Sequence, residues 1–138
     1  MSYSTQEQEN LDAVRKALDG AATDFGKLSE VFAEDIEWTI TGHGPVARTF
    51  HGIASLIDDA EQDLFDRISG TLRVAQKGTW ADGNKVFVHM TSAGEAVDGE
   101  PYNNEYLYIF TMKDQKAVTC TAWLDRHAYY GIVERIRL

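Results

Sequence analysis

Glu105 and His89 are the side chains in this sequence best placed, by type and by spacing, to move a proton. Both lie inside runs of β-forming residues, Glu105 in YNNEYLYIF and His89 in KVFVHMTS, so each projects from a strand rather than from a loop. Counted along its strand, Glu105 shares a face with Leu107 and Ile109. An ionised carboxylate in such company is costly unless paired, and burial raises its pKa toward the range in which it can both give and take a proton. Imidazole titrates near neutrality, so His89 is the natural partner. The plainer readings are a hydrogen-bonded structural histidine and a carboxylate that reaches solvent at the sheet edge. His43 and His51 flank a Gly-Pro loop, but no His-x-His or His-x-x-x-His spacing marks a metal site. No metal and no cofactor is expected.

The strand that carries Glu105 belongs to a long hairpin over residues 102–125, whose only strongly polar break is Lys113-Asp114-Gln115-Lys116. With Asp114 and Gln115 as the turn, Met112 stands opposite Ala117 and the pairing runs outward from there. That count puts Glu105, Leu107, Ile109, Thr111, Val118, Cys120, Ala122 and Leu124 on one face. The other carries Asn104, Tyr106, Tyr108, Phe110, Met112, Thr119, Thr121, Trp123 and Asp125. The aliphatic face is expected to line a pocket through Leu107, Ile109, Cys120, Ala122 and Leu124. The aromatic face is expected to meet a second copy of the chain, because a monomer would leave it exposed.

Ahead of this hairpin, Ser4-Thr5-Gln6-Glu7 has the form of a capping box, and Leu11, Val14, Leu18 and Ala21 recur at helical spacing. A shorter helical pattern follows, with Asp24 as its cap and Phe25, Leu28, Val31 and Phe32 inward. Residues 36–41 alternate as a half-buried strand with Trp38 and Ile40 pointing in, so both are expected in the pocket wall, near His43 in the loop that follows. Residues 46–51 give a short return strand. After Gly52, Ile53, Leu56, Ile57, Ala60 and Leu64 predict a third helix with Asp58, Asp59, Glu61 and Asp63 on its solvated side. Residues 71–80 and 85–94 pair across an Asp-Gly turn, which places Phe87, His89 and Thr91 on one face with Val74 and Gln76. Asp125 is placed to cap a final helix beginning near His127.

With 138 residues, the chain is expected to form a single domain over 1–138. A net charge of -9 argues against nucleic acid and anionic lipid as partners. No apolar stretch is long enough to span a membrane, and the first residues lack the features of a signal peptide, so a cytoplasmic location is expected. With one cysteine, Cys120, there is neither an internal disulfide nor a cysteine-based zinc site.

The order of elements, with VFAEDIEWTITGHGPVARTFHG at 31–52, YNNEYLYIFTMKDQKAV at 102–118 and TAWLD at 121–125, resembles the nuclear transport factor 2-like superfamily, in particular its polyketide cyclase (SnoaL-like) and ketosteroid isomerase-related branch. The resemblance covers nearly the whole chain. It implies an α+β cone, a curved and mainly antiparallel sheet whose concave face is closed by helices around a pocket, with a convex face that commonly makes a homodimer. The family's catalytic residues do not carry over. The base carboxylate of the steroid isomerases falls on Ile40, or on Thr39 with a slip of one; their donor tyrosine falls near Lys16 and their protonated aspartate on Ile109. The aspartate that hydrolases and cyclases of this fold carry on the last strand falls on Ala122. True steroid isomerisation is therefore not expected. What remains is a cone that binds a small apolar organic ligand, acting on an oxygenated substrate as an isomerase, cyclase or hydrolase through Glu105 and His89. The alternative is a non-catalytic ligand-binding or dimeric scaffold protein of the same fold.

Overall fold

The computed structural model describes residues 2–138. Ser4 closes the capping box with Glu7, each side chain bonded to the other's backbone N–H, and helix α1 runs Thr5–Ala21. A 3-10 helix, Phe25–Val31, follows a cap by Asp24, whose side chain accepts from the Gly26 N–H. Strands β1 (Phe32–Ile40) and β2 (Thr49–His51) come next. The third helix is split into α2 (Ile53–Leu56), a π-helical turn (Ile57–Glu61) and α3 (Gln62–Phe65). Four long strands, β3 (Ile68–Asp82), β4 (Lys85–Ala96), β5 (Pro101–Lys113) and β6 (Lys116–Leu124), lead to α4 (Arg126–Arg135), capped by Asp125.

The strands form one curved sheet in the order β2-β1-β6-β5-β4-β3, antiparallel except where β1 lies parallel to β6. The helices cover a single face of it. Leu11, Val14, Ala17 and Leu18 of α1 are buried across β3 and β4, and Leu56, Ala60 and Leu64 of the split helix are buried toward the far end. No helix among the described residues is long and apolar enough to cross a membrane.

Two bulges decide which side chains the helices cover, and counting outward from the turns does not see either. In the β5–β6 hairpin, Asp114 and Gln115 form the turn with φ of 52° and 60°, and Met112 stands opposite Ala117. The next pair is Thr111 with Thr119, so Val118 is an extra residue. Every later residue of β6 is thereby turned over: Cys120 stands opposite Phe110, Ala122 opposite Tyr108 and Leu124 opposite Tyr106. These three join the aromatic side chains in the core, and Thr119, Thr121 and Trp123 join Glu105, Leu107 and Ile109 outside. In β3, Lys77 is extra between the pairs Gln76–Met90 and Gly78–His89. Val74 therefore lies inward with Met90 and Val88, not beside His89.

The face assignment expected from the sequence is reversed as a result. Tyr106, Tyr108, Phe110 and Met112 are buried by the chain's own helices, with none above 4% exposed. They are not available as a patch for a second copy. Leu107 and Ile109, expected in the pocket, are half-buried on the outer face.

Removing a ring from the inner face opens a cavity in packed surroundings, while the outer face can relax toward solvent. Phe110→Ala should therefore cost about 3–5 kcal/mol in urea unfolding and Ile109→Ala about 1 kcal/mol. Equal costs would mean that the outer face is as fully packed as the inner one.

Candidate functional site

A cavity lies between the concave face and the helical cover. Trp38 and Ile40 of β1, Tyr102, Tyr106 and Tyr108 of β5, and Leu124 of β6 form its floor. Leu56, Ala60, Glu61, Leu64 and Phe65 of the split helix roof it, and Phe25, Val46 and Tyr129 close the sides. The space open to the centre of a water molecule is about 50 Å³, enough for roughly three or four waters. That is well below the roughly 150 Å³ that holds a benzene ring, so a ring-sized molecule enters only as part of the wall gives way.

Aromatic packing holds the floor in place. Phe65 meets Phe25 edge-on at 5.9 Å, Phe25 meets Tyr106 at 5.6 Å, Tyr106 meets Tyr108 at 5.6 Å, and Tyr108 meets Trp38 edge-on at 4.9 Å. These spacings are those of favourable aromatic pairs. Most polar groups of the wall are already satisfied within the chain. Tyr106 shares a 2.7 Å hydrogen bond with Ser92, Tyr102 accepts from Asn104 at 2.8 Å, and the Tyr129 hydroxyl donates to the Ala60 carbonyl at 2.7 Å.

Two groups of the wall are left over. Among the described residues, neither the Tyr108 hydroxyl nor the Glu61 carboxyl has a hydrogen-bond partner, although Tyr108 is only 3% exposed. Desolvation in this apolar setting pushes the Glu61 carboxyl up from 4.5 to about 7. Burial likewise holds Tyr108 well above its ordinary range, with the nearby charge of Glu61 adding to the effect. A half-buried carboxyl that titrates near neutrality in an apolar cavity is equipped to exchange protons with a bound molecule.

Sequence periodicity assigned Glu61 to the solvated side of its helix. The π-helical turn explains the difference, because the Gln62 N–H bonds to the Ile57 carbonyl five residues back and the wider turn rotates Glu61 toward the cavity. Such turns recur at functional sites. The only signal in the sequence was that apolar spacing over Leu56, Ala60 and Leu64 steps by four throughout, longer than a regular helix sustains.

Of the residues singled out from the sequence, Trp38, Ile40 and Leu124 stand in the cavity wall. Cys120 and Ala122 are buried on the same face without reaching it. His43 is exposed in the loop after β1, where its carbonyl accepts from Arg126 Nη1. Glu105 and His89 do meet, with Oε2 and Nε2 2.6 Å apart, but on the outer face, where their side chains are 65% and 42% exposed. The correction follows from the face reversal described above. His51 lies 3.4 Å from Glu37, also exposed. Among the described residues, no cluster of histidine, cysteine and carboxylate side chains could hold a metal.

The profile of the SnoaL-like domain matches residues 6–119. The chain belongs to this SnoaL-like family. Solved structures carry the same fold at low identity. A protein of Jannaschia sp. CCS1, provisionally named a SnoaL-like polyketide cyclase, is 17% identical with a TM-score of 0.74 over 99% of both chains. TerC, co-crystallised with polyporic acid, is 21% identical with a TM-score of 0.70 over 91% of this chain and 98% of its own. An NTF2-like protein of unknown function from Burkholderia pseudomallei is 20% identical with a TM-score of 0.71 over 91% and 97%. No curated protein matches the sequence. The likeness establishes the SnoaL-like cone, while the site rests on this chain's own residues.

Tyr129 reaches from α4 to the carbonyl of Ala60, the residue before Glu61 in the π turn. Tyr129→Phe should cost about 1–3 kcal/mol by leaving that buried carbonyl short of a donor. It should also lower the Glu61 pKa toward 4.5 as the helix regains ordinary spacing. Carboxyl-carbon NMR titration measures this, and an unmoved pKa would show that Tyr129 does not set the turn.

Proposed function

We propose that this SnoaL-like protein binds a small, mostly apolar organic molecule in the cavity and transfers a proton on it, with Glu61 as acid–base group and Tyr108 hydrogen-bonding the molecule's polar end. The observation that carries the reading is the Glu61 carboxyl, pushed up to about 7 and unpartnered among the described residues, in a wall otherwise made of rings and aliphatic side chains. The reaction class is that of an isomerase, cyclase or hydrolase working by proton transfer. TerC, a fold neighbour crystallised with an organic acid, supports a small organic occupant.

The exposed Glu105–His89 pair is the rival site, and two substitutions separate them. Glu61→Gln should abolish proton transfer and keep the fold, whereas His89→Ala should leave activity unchanged. The opposite result returns the chemistry to the outer face.

Glu61 also links the site to stability. Its folded pKa of about 7 lies above its ordinary 4.5, so between these values the folded state holds more protons than the unfolded one. Stability attributable to this group is therefore complete below pH 4.5 and is lost as pH rises toward about 7. Glu61→Gln removes that loss, so its gain over the wild type should grow from near zero at low pH to as much as about 3 kcal/mol at pH 8. Denaturant titrations at the two pH values test this. A constant difference would mean that Glu61 titrates normally.

A homodimer through the outer sheet face belongs to the same reading. The support is no longer the aromatic row of β5 but the residues that replace it. Trp80 and Trp123, 43% and 42% exposed, lie on a face with Phe87, Leu107 and Ile109. Sedimentation should give twice the chain mass, and Trp123→Glu should shift it to monomer. A monomeric wild type at micromolar concentration would remove the dimer and leave the cavity reading intact.

A further inference from the structure

We propose that the cavity selects a small organic cation: an ammonium group donating to the Glu61 carboxylate and the Tyr108 hydroxyl oxygen, with its carbon framework against the aromatic wall. The proposal rests on the cavity being the binding site and adds the charge of what it takes.

Three features beyond the carboxyl point to positive charge. Seven of the residues lining the cavity are aromatic, Phe25, Trp38, Phe65, Tyr102, Tyr106, Tyr108 and Tyr129, and ring faces attract cations most where water is excluded. No lysine or arginine lines the cavity, so an anionic ligand would meet a carboxyl with nothing to offset either charge. A groove beside it shares Val46 and Tyr129 with the cavity and is lined by Asp59, Asp63 and Glu134, again without a basic residue. Arg67 offsets Asp63 at 4.0 Å, which leaves Asp59 and Glu134 facing the approach. On a chain of net charge -9 this approach concentrates cations and repels anions.

Tyr108, a residue only 3% exposed that lines the cavity and whose hydroxyl has no hydrogen-bond partner among the described residues, makes this more than an acidic patch. Its oxygen accepts from an ammonium N–H as the carboxylate does, so two acceptors serve one donor group. The cation also settles the state of Glu61. Without a partner the carboxyl holds its proton up to about pH 7, and a bound ammonium provides the partner that favours the charged form.

The test uses three probes of similar size, benzylamine, benzyl alcohol and benzoate, titrated into the wild type, Glu61→Gln and Tyr108→Phe, and followed by the indole resonance of Trp38 in the cavity wall. Benzylamine stays protonated from pH 5.5 to 8.5, so the pH dependence of its binding reports on the protein. The titratable groups of the cavity wall besides Glu61 are Tyr102, Tyr106 and Tyr108 of β5 and Tyr129 of α4; Cys120 of β6 lies buried behind that wall, and Asp58, Asp59 and Asp63 neighbour Glu61 along its own helix. Burial holds those tyrosines and the cysteine above their ordinary values, hence neutral here. With Glu61 at about 7, benzylamine should bind roughly 30-fold more tightly at pH 8.5 than at pH 5.5. It should bind more tightly than benzyl alcohol above neutrality, and at least about tenfold less tightly to Glu61→Gln. Tyr108→Phe should weaken it several-fold, and benzoate should not bind. If benzyl alcohol binds better at every pH, or the pH trend runs the other way, the cation is wrong while the response of Trp38 upholds the cavity. If no probe perturbs Trp38, the cavity reading falls as well.

Discussion

A sheet with two apolar faces and helices enough for one must settle which face is covered, and here two inserted residues settle it. Val118 and Lys77 each add a residue to one strand of a pair and so exchange the faces of everything beyond. Without the bulge at Val118, the β5 aromatics would share their face with Thr119, Thr121 and Trp123, and Cys120, Ala122 and Leu124 would accompany Glu105. With it, the inner face of this hairpin is apolar and aromatic except for the hydrogen-bonded Asn104, and the threonines, Glu105 and its partner His89 go outside. The hydrophobic contrast that drives helices onto one face is created by the bulge. The cavity floor, from Trp38 through Tyr108 to Tyr106, exists because of that sorting.

Against this floor, Glu61 is a deliberate expense. A carboxyl placed among rings without a partner lowers stability whenever it ionises, and the helix that carries it leaves regular geometry to bring it there. Neither feature improves the core. A solvated position for Glu61 was available on a regular helix beside Asp58 and Asp59, so the displaced carboxyl is explained by what it does when the cavity is filled.

The elements of the fold were legible in the sequence because their signals are local. The capping box at Ser4 and Glu7, the Asp24 and Asp125 caps, the turn at Asp114-Gln115 and the inward Trp38 each depend on a few neighbouring residues, and each stands in the structure, while the turn read over residues 81–84 narrows to Gly83-Asn84 because Ala81 and Asp82 pair in β3. The site was much less so. A bulge residue such as Val118 or Lys77 is an ordinary side chain whose extra place is set by the twist of the finished sheet. The π turn likewise arises from packing Leu56, Ala60 and Leu64 over a curved floor, so Glu61 reads as one more acid in a solvated run. The Glu105–His89 contact was foreseen correctly as a contact. What failed was the side of the sheet, since the count past Val118 grouped Cys120, Ala122 and Leu124 with Glu105 and made that face look like the covered one.

The C-terminal helix holds the parts of the cavity together, and its attachment shows how little freedom the walls retain. Asn104, 6% exposed, makes four hydrogen bonds: its carbonyl oxygen accepts from the N–H groups of Glu105 and Asp125, and its amide donates to the Tyr102 hydroxyl and the Asp125 carbonyl. A buried amide so fully used fixes the start of α4 against β5. From that anchor, consecutive residues reach opposite sides of the cavity. Tyr129 donates to Ala60 in the roof, while the Tyr130 hydroxyl accepts from the Val46 N–H at 3.0 Å in the side wall. The loop can lie this close because Gly44, at φ 114°, has no Cβ; one built there would stand 2.4 Å from the Tyr130 hydroxyl oxygen. Roof and side wall are therefore tied to one helix and cannot part independently. A ring-sized ligand must shift part of this wall, and any movement of α4 works against the Asn104 anchor, so the room in the cavity and the position of Glu61 both depend on the same attachment.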